Sequence, residues 1–249
     1  MKVAFTRSFV RKVEARLQVR GFLKYTVGCA LVALVLAAGQ LVSAQGREIT
    51  LDGILKQLDR SAKNFRSLSA DVERTKVTVV VNDRSTEAGT LLVRDDKMLL
   101  QMNAPDSRTI LRNGDNIYVY TPGLNQVEEY NLGKNRDLAD EFLLLGFGTS
   151  GSQLEKGFQV KYTGEDTIEG KKDALLDLTP RSASVLKQFS KIQIWLDETT
   201  WLPDEQKFTE NGGDYLTIRY TKMVRNPNVP DSKFKPHWPK GTEKVKPQG

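Results

Sequence analysis

The sequence predicts a mainly β chain with added helix, an α+β fold organised on an antiparallel sheet. Three observations carry the prediction. Apolar and polar residues alternate in one segment after another. Glycine, asparagine and proline turns join those segments directly, and helical spacing is confined to a few stretches. Strands joined by tight turns pair antiparallel, because parallel neighbours need a crossover of a dozen residues or more.

Residues 1–44 stand apart from this pattern. Lys2, Arg7, Arg11, Lys12, Arg16, Arg20 and Lys24 face one acid, Glu14, and precede the apolar run "YTVGCALVALVLAAGQLVSA". A basic start, an apolar middle and Val42-Ser43-Ala44 before Gln45 describe a secretory signal peptide cut after about Ala44. An uncleaved anchor is the competing reading, since the run approaches the ~20 residues that a spanning helix needs. Cys29, the one cysteine, lies inside this leader, so the expected mature chain, 45–249, needs neither disulfides nor a reducing compartment. Of 37 basic and 31 acidic residues, 7 and 1 fall in the leader, which leaves 30 of each. The mature chain is close to neutral, so charge gives no argument for nucleic acid. Its length suits one domain.

The elements follow in order. "TLDGILKQLDRSAKNF" places Leu51, Ile54, Leu55, Leu58, Ala62 and Phe65 at helical spacing behind Thr50 as N-cap. Val77, Val79 and Val81 alternate, and "NDRST" turns. "GTLLVRDD" and "KMLLQMN" read as strands, and Asn113-Gly114-Asp115 joins two more as a hairpin. Pro122-Gly123 turns into "NQVEEYNL". The stretch from Asn135 to Leu145 reads as a polar-capped helix. Phe158, Val160 and Tyr162 open a strand, Glu169-Gly170 is a second hairpin turn, and "SASVLKQF" is a short helix. "KIQIWLDE", "DEQKFTE" and "DYLTIRYTKM" complete the strands, and the basic, proline-rich tail from about residue 233 reads as irregular or frayed.

Gly146-x-Gly148-x-x-Gly151 matches the dinucleotide fingerprint by letters only. That motif needs a strand before it and a full helix after it, returning to a parallel strand. Here only Ser152 to Lys156 separate Gly151 from Gly157, so the stretch reads as a glycine-rich loop ending a helix. Other chemistry is missing too. His237 is the one histidine, which with no mature cysteine argues against a zinc site and a Ser-His-Asp set. No phosphate-binding glycine–lysine loop is present. Asp140-Glu141 are adjacent carboxylates that point apart on a helix and read as a solvated face. The chain is not expected to be an enzyme, and it calls for no cofactor or metal.

One ordered series of segments resembles a known family. "LRNGDNIYVYTPGLNQVEEY" carries the family's turn, aromatic strand and Gln-Val at Gly114, Tyr118, Tyr120, Pro122, Gln126 and Val127. "GTLLVRDD" is similar to its Gly-x-Leu-x-x-x-Arg-Pro strand. "LLDLTP", "IQIWLDETTWLP" and "FKPHWPKG", with Phe234, Pro239 and Gly241, follow in the expected order. From about Leu51 to Val245 the chain resembles the LolA-type outer-membrane lipoprotein carriers and their lipoprotein-sorting relatives. The resemblance implies a curved, incompletely closed antiparallel β-barrel with a helical lid over an apolar cavity. It also implies a monomeric periplasmic carrier. Such a carrier takes acylated lipoproteins from an inner-membrane ABC transporter to an outer-membrane lipoprotein acceptor. A lipid- or lipoprotein-binding envelope sensor or adaptor on the same fold, without transfer activity, is the alternative.

Single-face alternation picks out the expected acyl-chain contacts: Met98, Leu100 and Met102, with Ile110, Ile117 and Val119 from the next hairpin. Phe142 and Leu143 are expected in the lid. The family arginine that latches the lid falls in register at Asp95. Arg94 stands one residue earlier, with Asp96 in the place of the proline, and is the latch candidate if a bulge restores its direction. Val72 replaces a family aromatic in the first strand.

Overall fold

In this computed structural model the chain divides into two units, Met1–Glu48 and Ile49–Gly249. The structure describes residues 49–133 and 145–245. The helix expected from Asn135 to Leu145, with Phe142 and Leu143, therefore lies outside the described residues except for Leu145.

Helix α1 (Leu51–Lys63) forms where its spacing predicts. The Thr50 side chain accepts from the Gly53 N–H at 3.2 Å, and Ile54 and Leu58 are buried on its inner face. Its C-terminal end is closed from the far end of the chain. Arg225 donates to the Ser61 carbonyl at 2.5 Å and the Asn226 amide to the Asn64 carbonyl at 2.9 Å.

Then come strands β1 (Ser67–Thr78), β2 (Asp83–Arg94), β3 (Lys97–Met102), β4 (Arg108–Asn113), β5 (Asn116–Thr121) and β6 (Gln126–Asn131). After the undescribed segment follow α2 (Gly151–Gly157), β7 (Phe158–Ile168), β8 (Lys171–Pro180) and α3 (Ala183–Leu186). Strands β9 (Phe189–Asp197), β10 (Pro203–Glu210), β11 (Tyr215–Arg225) and β12 (Glu243–Val245) complete the chain. All twelve strands form one sheet in the order β12-β6-β5-β4-β3-β2-β1-β11-β10-β9-β8-β7. Every pairing is antiparallel except the short one between β12 and β6. The edges β7 and β12 do not meet, so the sheet is a curved barrel left open. Its antiparallel topology has no place for the dinucleotide motif.

Two segments differ from the sequence expectation. Val79–Val81 is a 3-10 turn rather than a strand, closed by Asn82 at φ 49°. The alternation there is accidental, because consecutive valines satisfy any period. The C-terminal tail is not frayed. It crosses the convex face, where Val229 and Phe234 are buried against Leu111, with Leu92, Leu99, Tyr118 and Trp238 packed around them. Trp238 stacks on Tyr120 with ring centroids 5.1 Å apart, and β12 then pairs with β6. Arg94 secures this crossing. Its guanidinium donates to the Val229 carbonyl and the Asp231 carboxylate and lies 5.5 Å over the Phe234 ring. Lys97 reaches the same carboxylate at 2.8 Å, and Lys97 and Arg94 together hold the Asp231 carboxyl below the usual carboxylate range.

At the turn joining β9 to β10 three buried carboxylates gather. Asp173 sits opposite Asp197 across β8 and β9, and Asp204 is beside them. Lys171 Nζ lies 2.8 Å from Asp204 and 3.7 Å from Asp197. Asp197 also accepts from the Thr199 and Thr200 N–H groups at 2.7 and 2.9 Å, which shapes the turn. Burial, then the charge of Asp204, pushes the Asp173 carboxyl up to about 7.

Two outcomes follow from this packing. Phe234→Ala should cost about 3–5 kcal/mol in chemical denaturation, the usual range for a buried phenylalanine. Between the ordinary carboxylate value and about 7, the folded protein holds the Asp173 proton that the unfolded chain releases, so stability from this group falls as pH rises. Asp173→Asn should therefore exceed the parent in stability at about pH 8, with the gain fading toward about pH 4. Urea midpoints at the two pH values measure the difference.

Candidate functional site: the concave face and its cover

Register alone assembles the concave face. Across neighbouring strands, Leu68, Val93, Met98, Arg112 and Ile117 form one row, and Ala70, Leu91, Leu100, Ile110 and Val119 the next. On the other half Leu178, Ile192, Phe208 and Leu216 stand in line. Partners directly opposite point to the same side, so these rows form one surface, apolar except for Arg112, which is buried and donates to the Gly114 carbonyl at 3.1 Å.

That surface is packed to different degrees along its length. Over β8 to β10 it is covered by Ile54 and Leu58 of α1 and by Leu145, Leu154 and Phe158, while Val160 and Tyr162 on the edge strand β7 are half-buried. Over β1 to β3 and β11, Phe147 and Leu202 join Leu68, Val72, Leu91, Val93 and Met98. Toward β4 and β5 the covering thins. Leu100, Ile110, Ile117 and Val119 are half-buried, while Met98 and Met102 are buried. The six strand residues singled out in the sequence thus share one face, with the two methionines inside the packed part.

A cavity of about 410 Å³ opens beside the C-terminal end of α1, within the size range of ligand pockets. Among the described residues its apolar wall includes Phe65, Leu145, Phe147, Leu154 and Phe158, and Arg66, Asp95 and Asp96 line its polar side. None of the six strand residues above is in that described lining.

The cover is fitted closely at two glycines. Gly151 starts α2 against α1, and a Cβ there would stand 2.5 Å from the Leu55 carbonyl oxygen. Gly148, at φ 73°, passes the Phe65 ring so closely that a Cβ would be 2.6 Å away. Asp59 on α1 accepts from the Gly151 N–H at 2.9 Å, and Ser150 and Gln153 form a capping box. The glycine pattern is thus a packing device, which fits Gly151 against α1, Gly148 against Phe65 and Gly146 against Ile194 and Pro203 of the sheet.

A buried polar relay fixes the cover to the sheet. Tyr220 donates its hydroxyl to Gln206 Oε1 at 2.9 Å, and Gln206 Nε2 donates to the Leu145 carbonyl at 2.6 Å. Phe147 meets the Tyr220 ring edge-on at 4.9 Å. Burial raises the Tyr220 hydroxyl pKa, so it stays protonated as the donor. Further along the same face the Glu87 carboxylate accepts from Arg74 at 3.3 Å and from Arg108.

Sequence reasoning missed Gln206 and Tyr220. The available signal was a glutamine alternating with Phe208 at an inward position, where a polar side chain needs a partner. Arg94 is on the other side of the sheet. Pairing is regular from Gly89–Met102 to Arg94–Lys97, with no bulge to turn its side chain inward, and its contacts are to the C-terminal crossing. Val72 is buried on the concave face.

An open antiparallel sheet with an apolar inner face and a helical cover defines an open-barrel class of fold. Within it, the family model described as "Outer membrane lipoprotein carrier protein LolA" matches residues 63–237. The chain belongs to the LolA family, a family of carrier and binding proteins. It is 27% identical over 194 residues to the outer-membrane lipoprotein carrier protein of Dechloromonas aromatica (strain RCB), spanning 78% of this chain and 88% of that one. It is also 22% identical over 214 residues to an uncharacterized protein of Methanocaldococcus jannaschii, spanning 86% of this chain and 59% of that protein. Among solved structures, an uncharacterized conserved protein from Thermus thermophilus shares the fold. Its TM-score is 0.52 at 10% identity, covering 79% of this chain and 98% of that one.

If the relay holds the cover down, Gln206→Ala should cost about 1–3 kcal/mol by leaving the Leu145 carbonyl and the Tyr220 hydroxyl unpaired. Amide hydrogen exchange should rise in residues 145–151 before it rises in β8 and β9. Equal acceleration across the sheet would show that the residue serves the core as a whole.

Proposed function

We propose that this chain is a periplasmic carrier that shields the acyl chains of lipoproteins against its concave face while they pass from inner to outer membrane. The observation that carries the reading is the graded packing of that face, fully covered over β8 to β10 and half-buried at Leu100, Ile110, Ile117 and Val119. A tightly filled interior has no room for a guest, whereas a partly covered apolar surface next to a cavity does. Each acyl methylene withdrawn from water is worth ~0.8 kcal/mol, so a multiply acylated protein needs such shielding between membranes.

In this reading the acyl chains lie along Leu100, Ile110, Ile117 and Val119, with Phe142 and Leu143 in the lid, and reach the cavity beside Phe65 and Phe147. Met98 and Met102 support the floor. The Gln206 relay takes the holding role assigned in the sequence to Arg94, and Arg94 acts through the convex face. A leader ending at about Ala44 would deliver the chain to the periplasm. An inner-membrane ABC transporter would load it and an outer-membrane acceptor would unload it.

The test incubates purified residues 45–249 with spheroplasts carrying labelled triacylated lipoprotein and its transporter. Labelled lipoprotein should appear in the soluble fraction and co-elute with this chain, and a non-acylated control should not. Ile110→Asn with Val119→Asn should abolish that release while lowering stability by less than about 2 kcal/mol, since both positions are only half-buried. Release unaffected by the pair would place the acyl chains elsewhere, and no release with the parent chain would remove the carrier function.

A further inference from the structure

Turns between strands usually carry glycine, asparagine, aspartate or serine, because those residues fit the backbone and tolerate water. The β1–β2 connection breaks this habit. It presents Val79, Val80 and Val81 in sequence, and they are 52%, 87% and 69% exposed. A local rule broken without benefit to packing is a mark of function.

The three valines are held in place. Val81 is followed by Asn82 in a left-handed conformation, whose N–H returns to the Val79 carbonyl at 3.2 Å. The Val79 N–H donates to the Asp214 carboxylate at 2.9 Å, fixing the tip against the β10–β11 turn. That turn is fixed in its own right to α3, because the Asn211 amide donates to the Leu186 and Lys187 carbonyls at 3.0 and 2.9 Å. Leu186 is itself 39% exposed. The hydrogen bonds thus join three separate connections into one rim, and four of the six large apolar residues most exposed among the described residues stand on it.

Val80, at 87% exposed, stands clear at the tip of the rim, so it can enter a soft apolar medium. Its charges complement an anionic surface. Lys76 and Arg84 are exposed beside the valines and Lys187 beside Leu186, whereas Asp214 is engaged by the Val79 N–H and Glu210 is half-buried. Asp83 is the exposed acid of the tip. Apolar tips flanked by cations lodge at the boundary between acyl chains and anionic headgroups. We propose that this rim, led by Val79, Val80 and Val81, is a membrane-docking edge that dips into anionic phospholipid bilayers. The inference is independent of which cargo the concave face carries.

Vesicle flotation tests it with residues 45–249, using phosphatidylglycerol–phosphatidylcholine vesicles. The chain should float with the vesicles, and Val80→Asp should reduce the bound fraction by about tenfold, as expected for a charge forced into an apolar contact. Val224→Ser, at the far end of β11, should leave binding unchanged. Because the expected mature chain has no cysteine of its own, Val80→Cys can carry an environment-sensitive fluorophore. Its emission should shift to the blue on vesicle addition, and salt should weaken the effect. Three results would overturn the proposal: no flotation of the parent chain, undiminished flotation of Val80→Asp with its circular dichroism intact, or flotation without a fluorophore shift. If the parent chain does not float and Val80→Asp changes the oligomeric state, the rim belongs to a second copy of the chain and the proposal is overturned.

Discussion

The sheet does not close on itself, and the rest of the structure answers that constraint. Twelve strands of alternating residues produce an apolar inner surface, yet the edge strands β7 and β12 never meet to seal it. In a closed small barrel, side chains from opposite walls would fill the interior. Here the filling comes from outside the sheet. Helix α1 covers one half with Ile54 and Leu58, and the segment after the undescribed residues adds Leu145 and Phe147. A cover brought from elsewhere in the chain can be lifted without breaking the strand ladder, which is the physical opening for a carrier.

Polar groups decide how firmly the cover is held. Gln206 is buried among leucines and isoleucines, and a buried amide is tolerated only when both ends find partners. Tyr220 supplies the donor for its oxygen, and the Leu145 carbonyl accepts from its nitrogen. The relay is specific in a way that apolar contact is not, since it is satisfied in one placement of the cover. Its worth is modest, because a cover moved toward water exchanges these bonds for bonds to solvent. Close packing at Gly148 and Gly151 orders the cover, and the polar tie adds a modest hold that is specific to one placement.

Much of the fold was legible because its strands keep strict period two and its turns carry asparagine and glycine. Helix α1 was legible from Thr50 to Lys63 for the analogous reason at period 3.6. The face of β4 and β5 was read from Ile110, Ile117 and Val119, although their neighbours Leu111 and Tyr118 are apolar too and point the opposite way. The structure gives those neighbours a cover of their own on the convex side, in Val229, Phe234 and Trp238. These three have no periodicity, so the tail read as unstructured. The Arg94 position shows the same limit, because its direction depends on a regular register that only pairing partners reveal. Gln206 stood in plain alternation, but its role depended on a carbonyl 61 residues away.

The crossing of the convex face also dictates when the protein can become itself. Strand β1 lies between β2 and β11, so one flank of the first strand waits for residues 215–225. The Arg94 clamp then waits for Asp231, 137 residues later in the chain. A chain still emerging from the ribosome therefore keeps its early hairpins incomplete and their apolar outer side uncovered until residues 215–234 are out. Such long-range closure slows folding. It leaves the early strands dependent on residues 215–245 to set the final shape.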